Sequence, residues 1–357
     1  MAPSAVDNVQ QAVDQVTEKV LSTKLDNTGT PSNGNKTTSQ LKNEEHPNLE
    51  TGHKEPLKLS GALDYLEAFD VTPVIGREYV NANLVELLEA PNSDELIRDL
   101  AITTERTTAK TMRSVLSPQS KPRRSTRTAS AASVSCLVTA KAPRISGTAT
   151  SPLSRSPPNY ALLKLTQLPK TGGDTLWASG YEVYDRISPT LRSFLETLTG
   201  YYAQPGFNDA ADRNGFKLYS AERGAPENVG EVLEAIHPVI RTNPVTGWKS
   251  VFAVGHHVKR INGLSEAESK HFLNWFVQLI VENHDLQVRF KWKAVNDVAI
   301  WDNRSVYHTA TTDYLFEEGL GERKGSRAVS LGEKPYIDPQ SSSRREALLR
   351  EGSAGSA

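Results

Sequence analysis

Residues 300–314 read IWDNRSVYHTATTDY, and residues 321–336 read GERKGSRAVSLGEKPY. Asp297–Trp301 (DVAIW), overlapping the first segment, is a short apolar run of the kind found in buried strands, and it predicts a strand that delivers His308. Arg323 and Arg327 follow His308 by fifteen and nineteen residues and lie four apart. A guanidinium presents a planar fork that matches a carboxylate or a sulfonate. A mononuclear Fe(II) centre needs three protein ligands on one face, commonly two His and one carboxylate, with the other face open. The segment therefore reads as one such ligand, His308, followed by an anion clamp. On these residues alone a surface histidine and a solvated arginine pair stay open.

Outward from this segment the pattern alternates between strands and helices. Leu286–Trp292 (LQVRFKW) sets Leu286, Val288, Phe290 and Trp292 against Gln287, Arg289 and Lys291, and Tyr160–Leu168 (YALLKLTQL) is a second strand candidate. Ser188 with Pro189 predicts a helix start, with Leu191, Phe194, Leu195 and Leu198 on one apolar face. Ser265 starts another, with Phe272, Trp275, Phe276 and Leu279 facing inward. Nearer the N-terminus, Leu84, Leu87 and Leu88 share a helical face. Asn92 or Ser93 can cap the next helix, where Leu96, Ile97 and Leu100 recur. Mainly β structure with packed helices (α+β) suits a distorted double-stranded β-helix, or jelly roll.

Bulk properties narrow the classes. The 357 residues carry 37% hydrophobic content and a formal charge of −1, enough for one good-sized core and too little charge to steer the chain toward nucleic acid or membrane. The single cysteine, Cys136, excludes an internal disulfide framework. No apolar run reaches the ~20 residues of a membrane helix. The first arginine is Arg77, and acidic residues come early, which argues against secretory and mitochondrial leaders and makes the cytoplasm the expected location. Residues 1–55 read as a disordered arm in which Val13–Leu25 could form a transient helix. Residues 56–104 are foldable, 159–337 hold the core, and 338–357 read as a frayed tail.

From Tyr160 to Tyr336 the chain resembles the taurine/sulfonate dioxygenase family of Fe(II)- and 2-oxoglutarate-dependent enzymes. The resemblance rests on TGGDTLWASG (171–180), IHPVIRTNPVTGWKSVF (236–252), the WDNR…H block and the Arg323/Arg327 pair, in the family's order and at its approximate spacing. It implies that His308 is the distal iron ligand, that Thr175 and Arg323 hold 2-oxoglutarate, and that Arg327 holds the substrate sulfonate, with His257 in the substrate pocket. It further implies hydroxylation of the carbon beside a sulfonate in a taurine-like substrate, using O2 and releasing sulfite, succinate and CO2. No membrane partner is expected, nucleic acid is disfavoured, and an oligomer is open.

Residues 105–158 break the pattern. Between 105 and 156 there are ten basic residues to one acidic, and no aromatic lies between Tyr79 and Tyr160. The family's His-x-Asp ligand pair belongs just before Tyr160, yet no His occurs between His53 and His237. The β-helix is therefore expected to be incomplete here. One reading is a basic linker, although basic residues without interleaved aromatics argue against single-strand recognition. Another is a shifted reading frame. Joining the last base of each codon to the first two of the next lets Ser146–Gly147 give Trp, Gly147–Thr148 give His, Thr148–Ala149 give Ser, and Ala149–Thr150 give Asp. The same rule continues through Ile-Thr-Phe-Glu-Pro-Val-Pro toward Tyr160. Three function classes stay open: a dioxygenase, a non-catalytic relative that binds an organic acid without iron, and an interaction protein built around the basic linker.

Other candidates have plainer readings. Gly172–Gly173 suits a tight turn. His256 and His257, if on a strand, would face opposite ways. His237, His271 and His284 read as packing or surface residues. Asp302 and Asn303 organise the turn before His308, Asp313 lies past the metal-ligand block, and Tyr336 and Pro339 close the fold.

Overall fold

Local sequence sets the elements, and their pairing brings distant ones together. The computed structural model describes residues 54–107, 109–112 and 152–354. In chain order it contains β1 (Ala68–Asp70), β2 (Arg77–Tyr79), α1 (Leu84–Glu89), α2 (Ser93–Thr107), β3 (Ala109–Met112), β4 (Pro158–Gln167) and β5 (Thr175–Ser179). There follow α3 (Gly180–Arg186), α4 (Pro189–Leu195), β6 (Thr199–Ala203), α5 (Pro205–Asn214), β7 (Glu234–Pro238), β8 (Ile240–Thr242), β9 (Lys249–Val251) and β10 (Val258–Ile261). The chain ends with α6 (Glu266–Val281), β11 (Gln287–Phe290), β12 (Val298–Asp302), β13 (Val306–Ala310), β14 (Lys324–Leu331) and α7 (Arg344–Ala354).

The six-stranded sheet has the order β1-β2-β3-β12-β4-β14, and a three-stranded sheet has the order β11-β5-β13. Apart from the parallel β2–β3 pair, neighbours run antiparallel. Strand alternation sorts the side chains. Leu162, Val298, Ile300 and Ala328 pack against the leucines of α1 and α2. Ala161, Ala299 and Trp301 point the other way, toward Trp177, Val288 and Phe290 of the smaller sheet. Trp177 and Trp301, both about 1% exposed, bind the two sheets together with ring centroids 5.6 Å apart. A further layer, β10-β6-β7, packs with α6 through Phe276 and Ile280.

Helix starts follow their caps. Ser265 forms a reciprocal capping box with Glu268, and Asn83 accepts from the Val85 N–H. Ser188 occupies the cap position of α4 without a side-chain hydrogen bond, so Pro189 with its preset φ opens that helix. Phe194, expected inside, is exposed, because the face of this two-turn helix that meets the core is centred on Leu195.

The expected boundaries need two corrections. The break at 105 falls inside α2, β3 joins the large sheet beyond it, and Leu153, Ser154 and Ser156 are buried. The 338–357 tail is ordered through 354, since Ser343 is buried, Arg344 pairs with Glu182 at 2.8 Å, and the Arg345 N–H donates to Asp185 at 3.0 Å. The arm over 1–53, the transient helix and the shifted-frame segment up to 151 lie outside the described residues. Among the described residues no helix is long and apolar enough to cross a membrane.

The single acidic residue of the anomalous stretch, Glu105, is fully buried at the centre of the structure. It pairs with Arg304, which also binds Asp302 at 2.9 Å and Glu333 at 3.2 Å, while Asn243 donates to both Glu105 and Asp302. Burial pushes the Glu105 carboxyl well up, and the nearby Asp302 charge adds to this against the pull of Arg304. Burial acts the same way on Asp302, but there Arg304 and the hydrogen bonds win and the carboxyl stays low. Of the two carboxyls, Glu105 is thus the one pushed up and Asp302 the one held down. Glu105→Ala is expected to cost about 3–5 kcal/mol, because it strips a partner from buried Arg304. Glu105→Gln, which keeps one acceptor for Arg304 but sets an NH2 against the Asn243 amide donor, should cost less than the alanine without restoring wild-type stability; denaturant unfolding ranks the two.

His237 gives the fold a pH dependence. Its Nε2 lies 2.8 Å from the Pro152 carbonyl and 3.1 Å from that of Ser154, and its ring packs on Tyr202 and Phe252. Burial, helped by the Arg241 charge, pushes its pKa down to about 3. Between an unfolded pKa of about 6.5 and that value, the unfolded chain binds a proton that the folded chain refuses, so acid destabilises the fold. Stability should fall by up to about 1.4 kcal/mol per pH unit from this residue as pH drops below about 6.5. His237→Gln should lose that part of the slope in unfolding measured at pH 7, 6 and 5.

Candidate functional site

The site is built on the inner face of β5 and β13. In their register Thr175 lies opposite Ala310 and Trp177 opposite His308. Cross-strand partners share a face, so Thr175 and His308 point to the same side of the small sheet. The turn that sets this register works as read: Asp302 accepts from the Arg304 N–H at 2.9 Å, and Asn303 accepts from the Trp301 indole at 2.9 Å. His308 rests against the Trp301 ring at 4.9 Å. Burial, and secondarily the Arg327 charge, push its pKa down to about 3, so the imidazole is neutral and offers a lone pair at neutral pH.

Arg323, the residue just before β14, closes the group. Its Nε donates to the Gly173 carbonyl at 2.8 Å and its Nη2 to Thr175 Oγ1 at 3.1 Å. Trp292 Nε1 donates to the same hydroxyl at 3.0 Å, and the guanidinium lies 5.9 Å from the Trp292 ring. Thr175 therefore positions two donors beside each other, leaving a guanidinium edge for a carboxylate. Burial lowers the pKa of both Arg323 and Arg327 without threatening their charge, since free arginine titrates above 12. Arg327 occupies the β14 position opposite Leu163, on the face shared with Ala299, and makes no ion pair among the described residues.

The tight-turn reading of Gly172–Gly173 holds, with φ of 78° and 68°. A Cβ on Gly172 would sit 2.7 Å from Asp313 Oδ1, and one on Gly173 would sit 3.0 Å from Arg323 Cδ, so the site itself requires both glycines.

His257 is not part of this hydrogen-bonded group. It lies in a turn before β10, so the strand argument that set His256 and His257 on opposite faces does not apply, and their rings sit 3.9 Å apart. It is 4% exposed, neither ring nitrogen has a partner, and burial pushes its pKa down to about 3. No hydrogen bond joins it to the Thr175–Arg323 group. Sequence reasoning missed Trp292, read only as an alternating strand residue, and Asp313 with Arg289, whose roles depend on the 171–175 turn. The exposure of His271 and His284 agrees with their plain readings.

The Arg323, Thr175 and Trp292 arrangement fits a carboxylate. Among the described residues no three His, Cys, Asp or Glu side chains are grouped to hold a metal ion, and His308 is the one candidate Fe(II) ligand that they bring to this face.

Comparison with known proteins defines the family. The model described as "Taurine catabolism dioxygenase TauD, TfdA family" matches residues 71–329. The chain is 45% identical over 341 residues to the alpha-ketoglutarate-dependent dioxygenase btcD of Neocamarosporium betae, covering 82% of this chain and 98% of that protein. It is 34% identical over 182 residues to an alpha-ketoglutarate-dependent sulfonate dioxygenase of Saccharomyces cerevisiae, covering 51% of this chain and 41% of that one. A crystal structure of a taurine dioxygenase from Burkholderia xenovorans shares the fold, with a TM-score of 0.55 at 22% identity over 77% of this chain and 92% of that one. Enzymes of this class take Fe(II) and 2-oxoglutarate (alpha-ketoglutarate). The family model's match over 71–329 and the 45% identity along 82% of the chain make it a member of the TauD/TfdA family of 2-oxoglutarate-dependent dioxygenases.

Proposed function

We propose that this gene encodes a dioxygenase that hydroxylates the carbon beside the anionic group of a small sulfonate, taurine-like or related, on a distorted double-stranded β-helix. Oxygen and 2-oxoglutarate would be consumed, with succinate, CO2 and sulfite released. The observation that carries the reading is the Arg323–Thr175 pair at 3.1 Å, on the face that also presents His308. Arg323 and Thr175 would hold the far carboxylate of 2-oxoglutarate, and Arg327 would hold the substrate anion as a charge-assisted partner. His308 is assigned as the distal iron ligand. His257, buried without hydrogen bonds, is assigned to the substrate side of the pocket. The sulfonate dioxygenase of yeast supports the anion class, and Arg327 is the residue here that speaks for it.

The missing ligands bear directly on this reading. Codons 146–150 read out of register permit Trp-His-Ser-Asp at the place where the family carries its His-x-Asp pair. We assign the anomaly to a frame error, a mis-drawn intron or a real frameshift. The second reading is a non-catalytic member that keeps the clamp, favoured by the lack of a metal-binding group among the described residues.

Sequencing the transcript across the codons for residues 100–160 is expected to show a mature message that encodes the His-Ser-Asp block. A message encoding the Ser/Arg-rich segment as written would instead support the non-catalytic reading. Arg323→Ala is expected to weaken 2-oxoglutarate binding by at least about tenfold, the effect of losing a charged hydrogen bond of about 1.5–3 kcal/mol. Unchanged binding by calorimetry would remove Arg323 from the site. Arg327→Leu should spare 2-oxoglutarate and lose the sulfonate, which a parallel titration with taurine checks.

A further inference from the structure

Arg323 does not reach the site unaided, since its Nε bond depends on where the Gly173 carbonyl points. Gly173 is gripped through both of its backbone polar groups. Its N–H donates to Asp313 Oδ1 at 2.9 Å while its carbonyl accepts from Arg323 at 2.8 Å. Asp313 also accepts from the Tyr314 N–H at 3.2 Å and lies 3.6 Å from Arg289 Nη2. Arg289 in turn holds the next residue of the turn, Asp174, at 2.7 Å, and the Asp174 carbonyl accepts from the Thr311 N–H at 2.8 Å. The close approach of Asp313 also explains why position 172 has no side chain.

We infer that Asp313 is a positioning residue for co-substrate binding: it latches the 171–175 turn so that the Gly173 carbonyl and Thr175 hydroxyl aim Arg323 at the carboxylate. Its placement suits this role. Asp313 follows His308 by five residues, at the start of the short turn just past the end of the strand that carries the histidine. The Asp313 side chain is 48% exposed, so removing it opens no core cavity. The latch rests on the reading of Arg323 and Thr175 as the carboxylate clamp.

The test is titration of the purified full chain with 2-oxoglutarate in the presence of a chelator, read by tryptophan fluorescence, since Trp292 borders Arg323. Asp313→Ala is expected to weaken binding about tenfold with little change in melting temperature. Asp313→Asn, whose amide oxygen still accepts from Gly173, should recover most of the loss. Gly172→Ala, which displaces the carboxylate without removing it, should repeat the loss. Wild-type affinity in Asp313→Ala, in a protein where Arg323→Ala loses binding, would overturn the latch and leave the clamp standing. Equal losses in the Ala and Asn variants would overturn the hydrogen-bond account. Absence of saturable binding in wild type would overturn the clamp and the latch with it.

Discussion

A single buried guanidinium, that of Arg304, holds the architecture together. It is 3% exposed and contacts carboxylates from three separate parts of the chain: Glu105 from α2, Asp302 at the end of β12, and Glu333 after β14. A charge this deep is tolerable only when its partners are close and hydrogen-bonded. Arg241, also buried, shares Glu333 at 2.5 Å, so the cluster reaches the strand pair β8–β9. The turn between β12 and β13 is therefore tied to the helix layer and to the segment beyond β14. That turn sets the register that places His308 opposite Trp177.

The clamp shows how a site is assembled from weak local rules. Thr175 opens β5, and two glycines with positive φ precede it. Neither feature names a ligand. Their meaning comes from the connection between β13 and β14, which arrives more than a hundred residues later and supplies Asp313 to the Gly173 N–H and Arg323 to its carbonyl.

Most of the fold was legible in the sequence because the strands and helices near the site carry strong periodicity. The alternation in Leu286–Trp292 became β11, DVAIW became β12, and the apolar face starting after Ser265 became α6. The errors have physical causes. Phe194 shares a helical period with Leu195 but falls on the outer side of a short helix. The tail over 338–357 looked frayed because its anchors are polar, and Arg344 and Arg345 meet partners far back in the chain, in α3. Glu105 looked like a stray acid in a basic stretch, since nothing local predicts that Arg304, far along the chain, will cover it. Thr175 and Arg323, singled out by motif order, meet in a hydrogen bond with His308 on the same face as Thr175, whereas Trp292 and Asp313 reach the 171–175 turn through contacts that no periodicity encodes.

The order of the large sheet has a consequence for biosynthesis. Its strands β3 and β4 both pair with β12, and β4 also pairs with β14. During translation at ~5–20 residues per second, β4 leaves the ribosome on the order of 10 s before β12 exists to pair with it. Over that interval both edges of β4, including the apolar run ALLKL, are open to other chains. The nascent protein therefore depends on whatever shields that edge, such as a chaperone or transient packing against β5, until its C-terminal third is made.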